Sequence, residues 1–504
     1  MSQIKKGAAL NYTSIILTNI VGLLLTPFII RKLGDAEFGL YSLIGAFVGY
    51  IAILDLGLGN TVVRFVAKYR AEKDKTGEEN FLATTLIIYA IISFCVVVIG
   101  TICYFNIESI FKDSLTLDQI SSAKNMFVIL VFTLAVGLPA GTFEATSYGY
   151  EQFVFPKITK IIHYVIRSLL VVGLLFWSGR ALSLVILDAS LNLVLFGVMI
   201  YFVLAKLKVK IKLHSFSKQL LKKIFGYSLW IFVFAIVGQF QWRVGQLVLG
   251  VMTDPTIVAV FAVGVMLGTY YGAFSTAISG VFLPRATQMT VTNANPKELT
   301  DMMIKIGRLS FIVLMFILTA FILFGKQFIF LWVGESYQDS WVIALIIMFA
   351  YTLPLVQAFG NSILEAQNKL SFKAIIYLIF LILGTIFGGY LAKDYGAIGM
   401  IAGTVSGWLI VQNVMNFYYY KVIQLEIPRF FKELLNKTFL AILIILVFGY
   451  FIRFIPGKNW FNFVLKGISY SIVYVLVMYR IGLIEFEKQL FKSTFSSIRT
   501  KFGI

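Results

Sequence analysis

Charge is scarce in this chain. Of its 504 residues only 13% are Asp, Glu, Lys or Arg, about half the ~25% of an ordinary soluble domain. That is too little to cover the two to four soluble domains a chain of this length would make. Cysteine is nearly absent. Cys95 and Cys103 lie eight residues apart in or beside one apolar segment, which rules out a framework of disulfides or thiolate-held zinc. His163 and His214 are the only histidines, so a His-based metal centre is not expected, and no cofactor is. A Gly-x-x-x-x-Gly-Lys-Ser/Thr run does not occur, which excludes ATP hydrolysis by that route.

What is present is apolar. Hydrophobic residues make up 59% of the chain and aromatics 16%, which excludes disorder. A helix needs about 20 mostly apolar residues to cross the bilayer core, and fourteen such stretches can be read. They are 9–30, 39–60, 81–104, 124–146, 159–178, 183–205, 226–250, 257–283, 308–331, 341–364, 373–392, 398–420, 437–455 and 461–480. The expected fold is an all-α polytopic membrane protein. The first stretch exceeds the h-region of a signal peptide and contains Pro27, so it reads as a span.

The little charge there is has a pattern. Lys and Arg outnumber Asp and Glu by 43 to 24. The connections that share a side with the termini, with the helix ends entering them, hold 31 of the basic residues; the alternate connections hold 7. The positive-inside rule then puts both termini in the cytoplasm. The run Lys206, Lys208, Lys210, Lys212, Lys218, Lys222 and Lys223 is expected against an anionic inner leaflet, which explains the net charge of +19 without nucleic acid. All connections are short. The longest on the outer side, 105–123, could not hold a catalytic domain, so an enzyme is not expected and function must reside among the helices.

An offset of 219 residues relates the first two spans to the seventh and eighth. Leu33-Gly34-Asp35 falls opposite Met252-Thr253-Asp254, Gly45 opposite Gly264, and Gly49 opposite Gly268. Six spans is an even number, so the repeat would be parallel, with an axis along the membrane normal. The expected organisation is a six-helix lobe over 1–205, a basic linker over 206–225, a second six-helix lobe over 226–420, and two further helices with a tail over 421–504.

The run from Leu33-Gly34-Asp35-Ala36-Glu37-Phe38-Gly39-Leu40-Tyr41 to Leu54-Asp55-Leu56-Gly57-Leu58-Gly59-Asn60 and Arg64-Phe65-Val66-Ala67-Lys68 resembles the opening of the bacterial polysaccharide-transport family. That family comprises flippases for lipid-linked oligosaccharides, in the superfamily that also holds the MATE multidrug exporters. The resemblance implies two six-helix lobes around a V-shaped cavity, alternating access, and two added C-terminal helices. It implies a polyprenyl-pyrophosphate-linked repeat unit as substrate, moved outward across the bacterial cell membrane for O-antigen, capsule, exopolysaccharide or related polymers. A polysaccharide polymerase is a candidate partner. The alternative is a MATE-like ion-coupled exporter of organic cations, which should favour carboxylates over arginines in its cavity.

Ionisable groups inside spans are costly, so each needs a reason. Lys160, His163, Tyr164 and Arg167 share a face of the fifth span at steps of three and four. Arg167 suits pyrophosphate through its planar fork; otherwise it pairs with a carboxylate of another helix. His163 is either a titrating group or a hydrogen-bonded packing residue. Gln239, Arg243 and Gln246 repeat this spacing on the seventh span, where Arg243 is a second headgroup candidate or part of an ion pair. Arg64 and Lys68 greet either pyrophosphate or lipid phosphate. Asp55 and Glu144 are expected to pair with Arg64 or Lys160, or to bind a coupling cation, and Arg180 is a plausible partner for Asp188. Gln357, Asn361 and Glu365, with Gln412 and Asn416, form amide stripes suited to sugar hydroxyls or to joining helices. Pro27, Pro139, Pro284 and Pro354 permit bending or serve packing.

Overall fold

A computed structural model describes residues 3–490 except 178, 280–287, 291, 293 and 368; Pro284 and the tail beyond 490 lie outside the described residues. Among the described residues all regular structure is helical. The helices are α1 (Gln3–Leu33), α2 (Asp35–Ile51), α3 (Leu58–Ala71), α4 (Lys75–Phe111), α5 (Leu117–Gly149), α6 (Val154–Trp177), α7 (Ala181–Tyr201), α8 (Lys218–Trp242), α9 (Val244–Met252) and α10 (Pro255–Ser279). They continue as α11 (Pro296–Trp332), α12 (Gln338–Val356), α13 (Ala358–Ala366), α14 (Leu370–Lys421), α15 (Ile427–Leu435), α16 (Thr438–Ile452) and α17 (Trp460–Val477).

Polar residues fix where these helices start. Asp74 accepts from the Gly77 amide at 2.8 Å, Thr116 and Gln119 form a reciprocal capping box, and Asn295 caps α11 ahead of Pro296. Between caps the sequence is apolar on outward as well as inward faces. Ile91, Phe94 and Phe105 of α4 are 60%, 69% and 73% exposed, the inverse of a soluble helix and the expected state in lipid.

Among the described residues twelve helical stretches are long and apolar enough to cross a membrane, and α8 with α9 makes a further one bent by 46°. One of the twelve, α14, has 52 residues, roughly 78 Å of helix, more than twice the hydrocarbon thickness. Gly396 breaks it at φ 53°, ψ −135°, and beyond the break the chain folds back. A Cβ on Gly403 would strike the Gly388 backbone, and Phe372 stacks on Tyr418 with ring centroids 4.4 Å apart. Counted as two passes, α14 brings the total to the fourteen read from the sequence.

The chain divides into two compact units, Met1–Ala262 with Ala374–Thr404, and Val263–Lys373 with Val405–Ile504. This division by packing differs from one into six-pass repeats, because α8, α9 and the start of α10 belong with the first six passes.

In the first unit the connections gather at two opposite ends. At one, the Ala181 amide donates to Glu37 (2.8 Å) and the Ser114 hydroxyl to the Gly250 carbonyl (2.6 Å). At the other, Arg70 donates to the Gly149 carbonyl (3.1 Å) and Asn80 Oδ1 accepts from the amides of His214 and Ser215. The Leu54–Asn60 motif does not end the second pass, as its position suggested. It interrupts a pass running from Asp35 to Ala71, with a 3₁₀ turn over Ala52–Asp55 followed by Leu56 (φ 53°) and Gly57 (φ 67°) in the left-handed region. Gly57 adopts that conformation freely, whereas Leu56 does so at a cost of about 1–2 kcal/mol.

The second unit is held by apolar contact and by one buried ion pair. Gly264, Gly268 and Gly272 of α10 face Ile343, Ile347 and Tyr351 of α12 too closely for any Cβ, a small-residue stripe that brings two backbones together. Helices α11, α16 and α17 enclose Phe324, Ala441, Ile445, Tyr470 and Tyr474. At the start of the α11 pass, Arg308 is 1% exposed and forks onto Glu487 at 2.6 and 3.1 Å, while donating to the carbonyls of Asn436 and Gly482. The short amphipathic α15 buries Ile427, Phe430 and Leu434 and turns Arg429 to Asp301 and Glu426.

Candidate anion-binding cavity

The first unit contains a cavity of about 240 Å³ whose polar lining comes from α2, α7, the junction of α8 and α9, and α9: Tyr41, Ser42, Asp188, Arg243 and Gln246. Arg243 reaches it because the pass breaks there. Its backbone (φ −123°, ψ −23°) is non-helical between α8 and α9, so its side chain leaves at the elbow. The guanidinium lies in a notch on α2. A Cβ on Gly49 would collide with it, and Nη1 donates to the Gly45 carbonyl at 3.1 Å. Among the described residues Arg243 makes no ion pair.

Asp188 lies on the opposite wall. Arg167 of α6 forks onto it, with Nε to Oδ1 at 2.6 Å and Nη2 to Oδ2 at 2.8 Å, and the Tyr41 hydroxyl donates to Oδ2 at 3.1 Å. Asp188 therefore pairs with Arg167 and not with Arg180, and Arg167 takes the alternative in which a carboxylate of another helix engages its fork. Arg243 and Asp188 line the cavity themselves, and Arg167 is joined to it through its ion pair with Asp188. Together the three bring the local sum to +1, with the Arg243 guanidinium free of carboxylate among the described residues.

The other sequence-marked residues fall elsewhere. Lys160 pairs with Glu144 at 2.6 Å, and Tyr148 also donates to Glu144. His163 has a buried Nε2 without a hydrogen-bond partner among the described residues. Gln239 likewise has an unpartnered buried Oε1, while its carbonyl accepts from Tyr50. Arg64 is exposed on α3, and Lys68 lies 3.8 Å from Glu72. Asp55 pairs with neither Arg64 nor Lys160. It accepts from the Tyr89 hydroxyl at 2.9 Å and, of Asp55, Glu144 and Asp188, is the one without a cation partner among the described residues.

In the second unit the amide stripes bond to each other. Gln357 Nε2 donates to Asn416 Oδ1 at 2.8 Å, Gln412 donates to Gln357, and Lys373 donates to Asn361 Oδ1 at 2.6 Å. Glu365 is exposed. Tyr41, Tyr89 and Lys373 were not singled out from the sequence. A tyrosine inside an apolar run gives no sign of the carboxylate it will meet.

The fold defines the class: a polytopic helical membrane protein. The family model for polysaccharide biosynthesis proteins matches residues 4–290, more than half of the chain, and the chain belongs to that family. A relative from Shigella flexneri that carries the name of an O-antigen transporter is 21% identical over 377 residues, 74% of this chain and 87% of the relative. Among solved structures, the lipid II flippase MurJ in an inward closed conformation superposes with TM-score 0.72 at 18% identity, covering 93% of this chain and 98% of that one. An inward-facing MATE multidrug resistance transporter superposes with TM-score 0.62 at 15% identity, covering 86% and 99%. At these identities the structural likeness is one of fold.

Proposed function

We propose that this protein is a flippase that carries a polyprenyl-pyrophosphate-linked oligosaccharide from the inner to the outer leaflet for cell-surface polysaccharide synthesis. The family and the flippase-like fold support the class. The observation that carries the reading is Arg243, a guanidinium in a net positive cavity without a carboxylate partner, suited to receive a diphosphate. Arg167 acts in this reading as a positioning residue: it neutralises Asp188 and leaves Arg243 as the free cation. The polyprenyl tail stays in lipid. The distribution of Lys and Arg supports cytoplasmic termini, with the Arg243 cavity toward the outer face. The family's two lobes and alternating access complete the cycle. MATE-like export of organic cations shares the fold, but a net positive cavity repels such cargo.

The test is translocation of a fluorescent polyprenyl-pyrophosphate oligosaccharide in proteoliposomes. Arg243→Ala should slow transport about 10- to 100-fold, the worth of one charge-assisted hydrogen-bonding group, and Arg243→Lys should recover part of it. Export of an organic cation with no movement of the lipid would overturn the reading.

Asp55 is the coupling candidate within this reading. A carboxylate in the membrane without a cation is stabilised by taking up a proton or metal cation, and it lies at a break in a helix, where transporters build such sites. Asp55→Asn should abolish the response of transport to imposed proton or sodium gradients while leaving gradient-free exchange. An unchanged response would remove Asp55 from coupling.

A further inference from the structure

A second polar cavity of the first unit lies at the end opposite the Arg243 site and belongs to none of the chemistry above. It encloses about 600 Å³, within the ~300–1,000 Å³ typical of ligand pockets. Three connections build it: the turn after α3, the turn after α5, and the extended segment after α7. Arg70, Lys73, Lys75, Lys208 and Lys210 line it, with Tyr150 on one wall.

The charges in this pocket are unevenly satisfied. Its two carboxylates are both engaged: Glu78 accepts from the Tyr150 hydroxyl at 2.7 Å, and Glu79 meets His214 Nε2 at 2.8 Å. Burial, and then the bond to Glu78, push the Tyr150 hydroxyl up from its ordinary value, so it remains a donor. The five cations form no ion pair among the described residues. The Arg70 guanidinium stacks on the Tyr150 ring at 4.2 Å and is held by the Gly149 carbonyl.

The backbone fixes the lysines' positions. Lys73 stands in the left-handed region (φ 56°) just past the end of α3, where the Asp74 amide reaches back to the Tyr69 carbonyl and the Lys73 amide to Arg70, a Schellman closure. Lys208 adopts φ 55°. In the segment Lys206-Leu207-Lys208-Val209-Lys210-Ile211-Lys212, Val209 is buried while the lysines are exposed. Asn80 and Glu79 then tie the segment down at His214 and Ser215.

We propose that this pocket is a binding site for a multiply charged phosphate group, either on a soluble phosphate compound or on an anionic lipid headgroup. Diffuse attraction to a charged leaflet needs neither an enclosed volume nor an arginine held on an aromatic ring, and it does not saturate. A phosphate site does both: it uses the fixed geometry and it fills.

Full-length protein in zwitterionic nanodiscs, titrated calorimetrically with inorganic pyrophosphate, tests the soluble source. Protein in a neutral detergent, titrated with dioctanoyl phosphatidic acid against dioctanoyl phosphatidylcholine, tests the lipid source. Saturable binding in either arm is expected to weaken about tenfold or more in Lys208→Gln/Lys210→Gln, to survive in Lys208→Arg/Lys210→Arg, and to weaken with added salt. Both changes fall on an exposed segment, and an unaltered melting temperature confirms the fold. Arg243→Ala separates the two cavities: saturable binding that persists in it and is lost in the lysine double variant belongs to this pocket. Pyrophosphate binding assigns the soluble source, and binding of phosphatidic acid alone assigns the headgroup. No saturable binding in either arm overturns the proposal, as does binding that ignores the lysines and vanishes with Arg243.

Discussion

Two glycine pairs separated by the same 219-residue offset do different work. Gly49 opens a notch in α2 that receives the Arg243 guanidinium, and the Gly45 carbonyl accepts its hydrogen bond. Gly264 and Gly268 open the same kind of notch in α10, and Ile343 and Ile347 fill it. The contrast extends to the units around them. The first holds its deep polar groups as charges, with Arg167 on Asp188, Lys160 on Glu144, and Arg243 and Asp55 without counter-charge. In the second, the candidate polar stripes meet as amides on amides, apart from Lys373 on Asn361. A glycine notch thus receives a charged side chain in one place and aliphatic side chains in the other. What decides is the side chain that enters the notch.

The largest expected effect lies in the charged unit. Arg167→Ala leaves Asp188 with only Tyr41 as a partner inside the membrane, which should cost about 3–5 kcal/mol of stability, read as a fall in melting temperature of the purified protein. The double change Arg167→Met/Asp188→Leu removes both charges and should recover most of that loss, since an apolar replacement of an ion pair is commonly near neutral. The double variant should also keep most of its transport if Arg167 only positions Asp188. A stable double variant that does not transport would give Arg167 a direct contact with the headgroup.

The comparison of glycines is sharpened by adding one methyl to each. In Gly49→Ala the new Cβ meets the tip of a flexible arginine, which can move aside, so the melting temperature should hold while transport falls about tenfold with the displaced guanidinium. In Gly268→Ala the Cβ meets the branched carbons of Ile347, which are stiff, so stability should fall by about 1–3 kcal/mol with specific transport unchanged. Equal effects of the two on both measurements would mean that the notches are equivalent and that Arg243 has no special place.

Passes were legible in the sequence because about 20 consecutive apolar residues have few other uses. Breaks within passes were only partly so. Gly396 falls in an expected connection and Pro354 stands three residues before the turn at Gln357, yet nothing around Arg243 marks an elbow, and Leu56 is an unfavourable choice for a left-handed residue. Candidate charges were found because they are rare in membrane helices. Their partners depend on the rotation of each helix about its axis, which packing decides, and so Arg167 and not Arg180 meets Asp188. The same limit hid Tyr41 and Tyr89, whose hydroxyls are visible only once the carboxylates they serve are in place.

The smallest effect belongs to the amide network, and it tests whether the second unit takes part in recognition through these stripes. Gln357 is 1% exposed and bonds at once to Asn416 and Gln412, so both ends of its amide are occupied within the protein. A group used in this way has nothing left for a sugar hydroxyl unless the network opens. If the network joins helices, Gln357→Leu should cost about 1–2 kcal/mol, a modest interhelical bond plus the amides left unsatisfied on its partners, and transport per folded molecule should match the parent. If the network opens to bind sugar, the same substitution should leave stability nearly intact and weaken transport of long oligosaccharides more than short ones. Comparing two oligosaccharide lengths in the leaflet assay, on protein matched for folded fraction, separates a clasp from a binding surface.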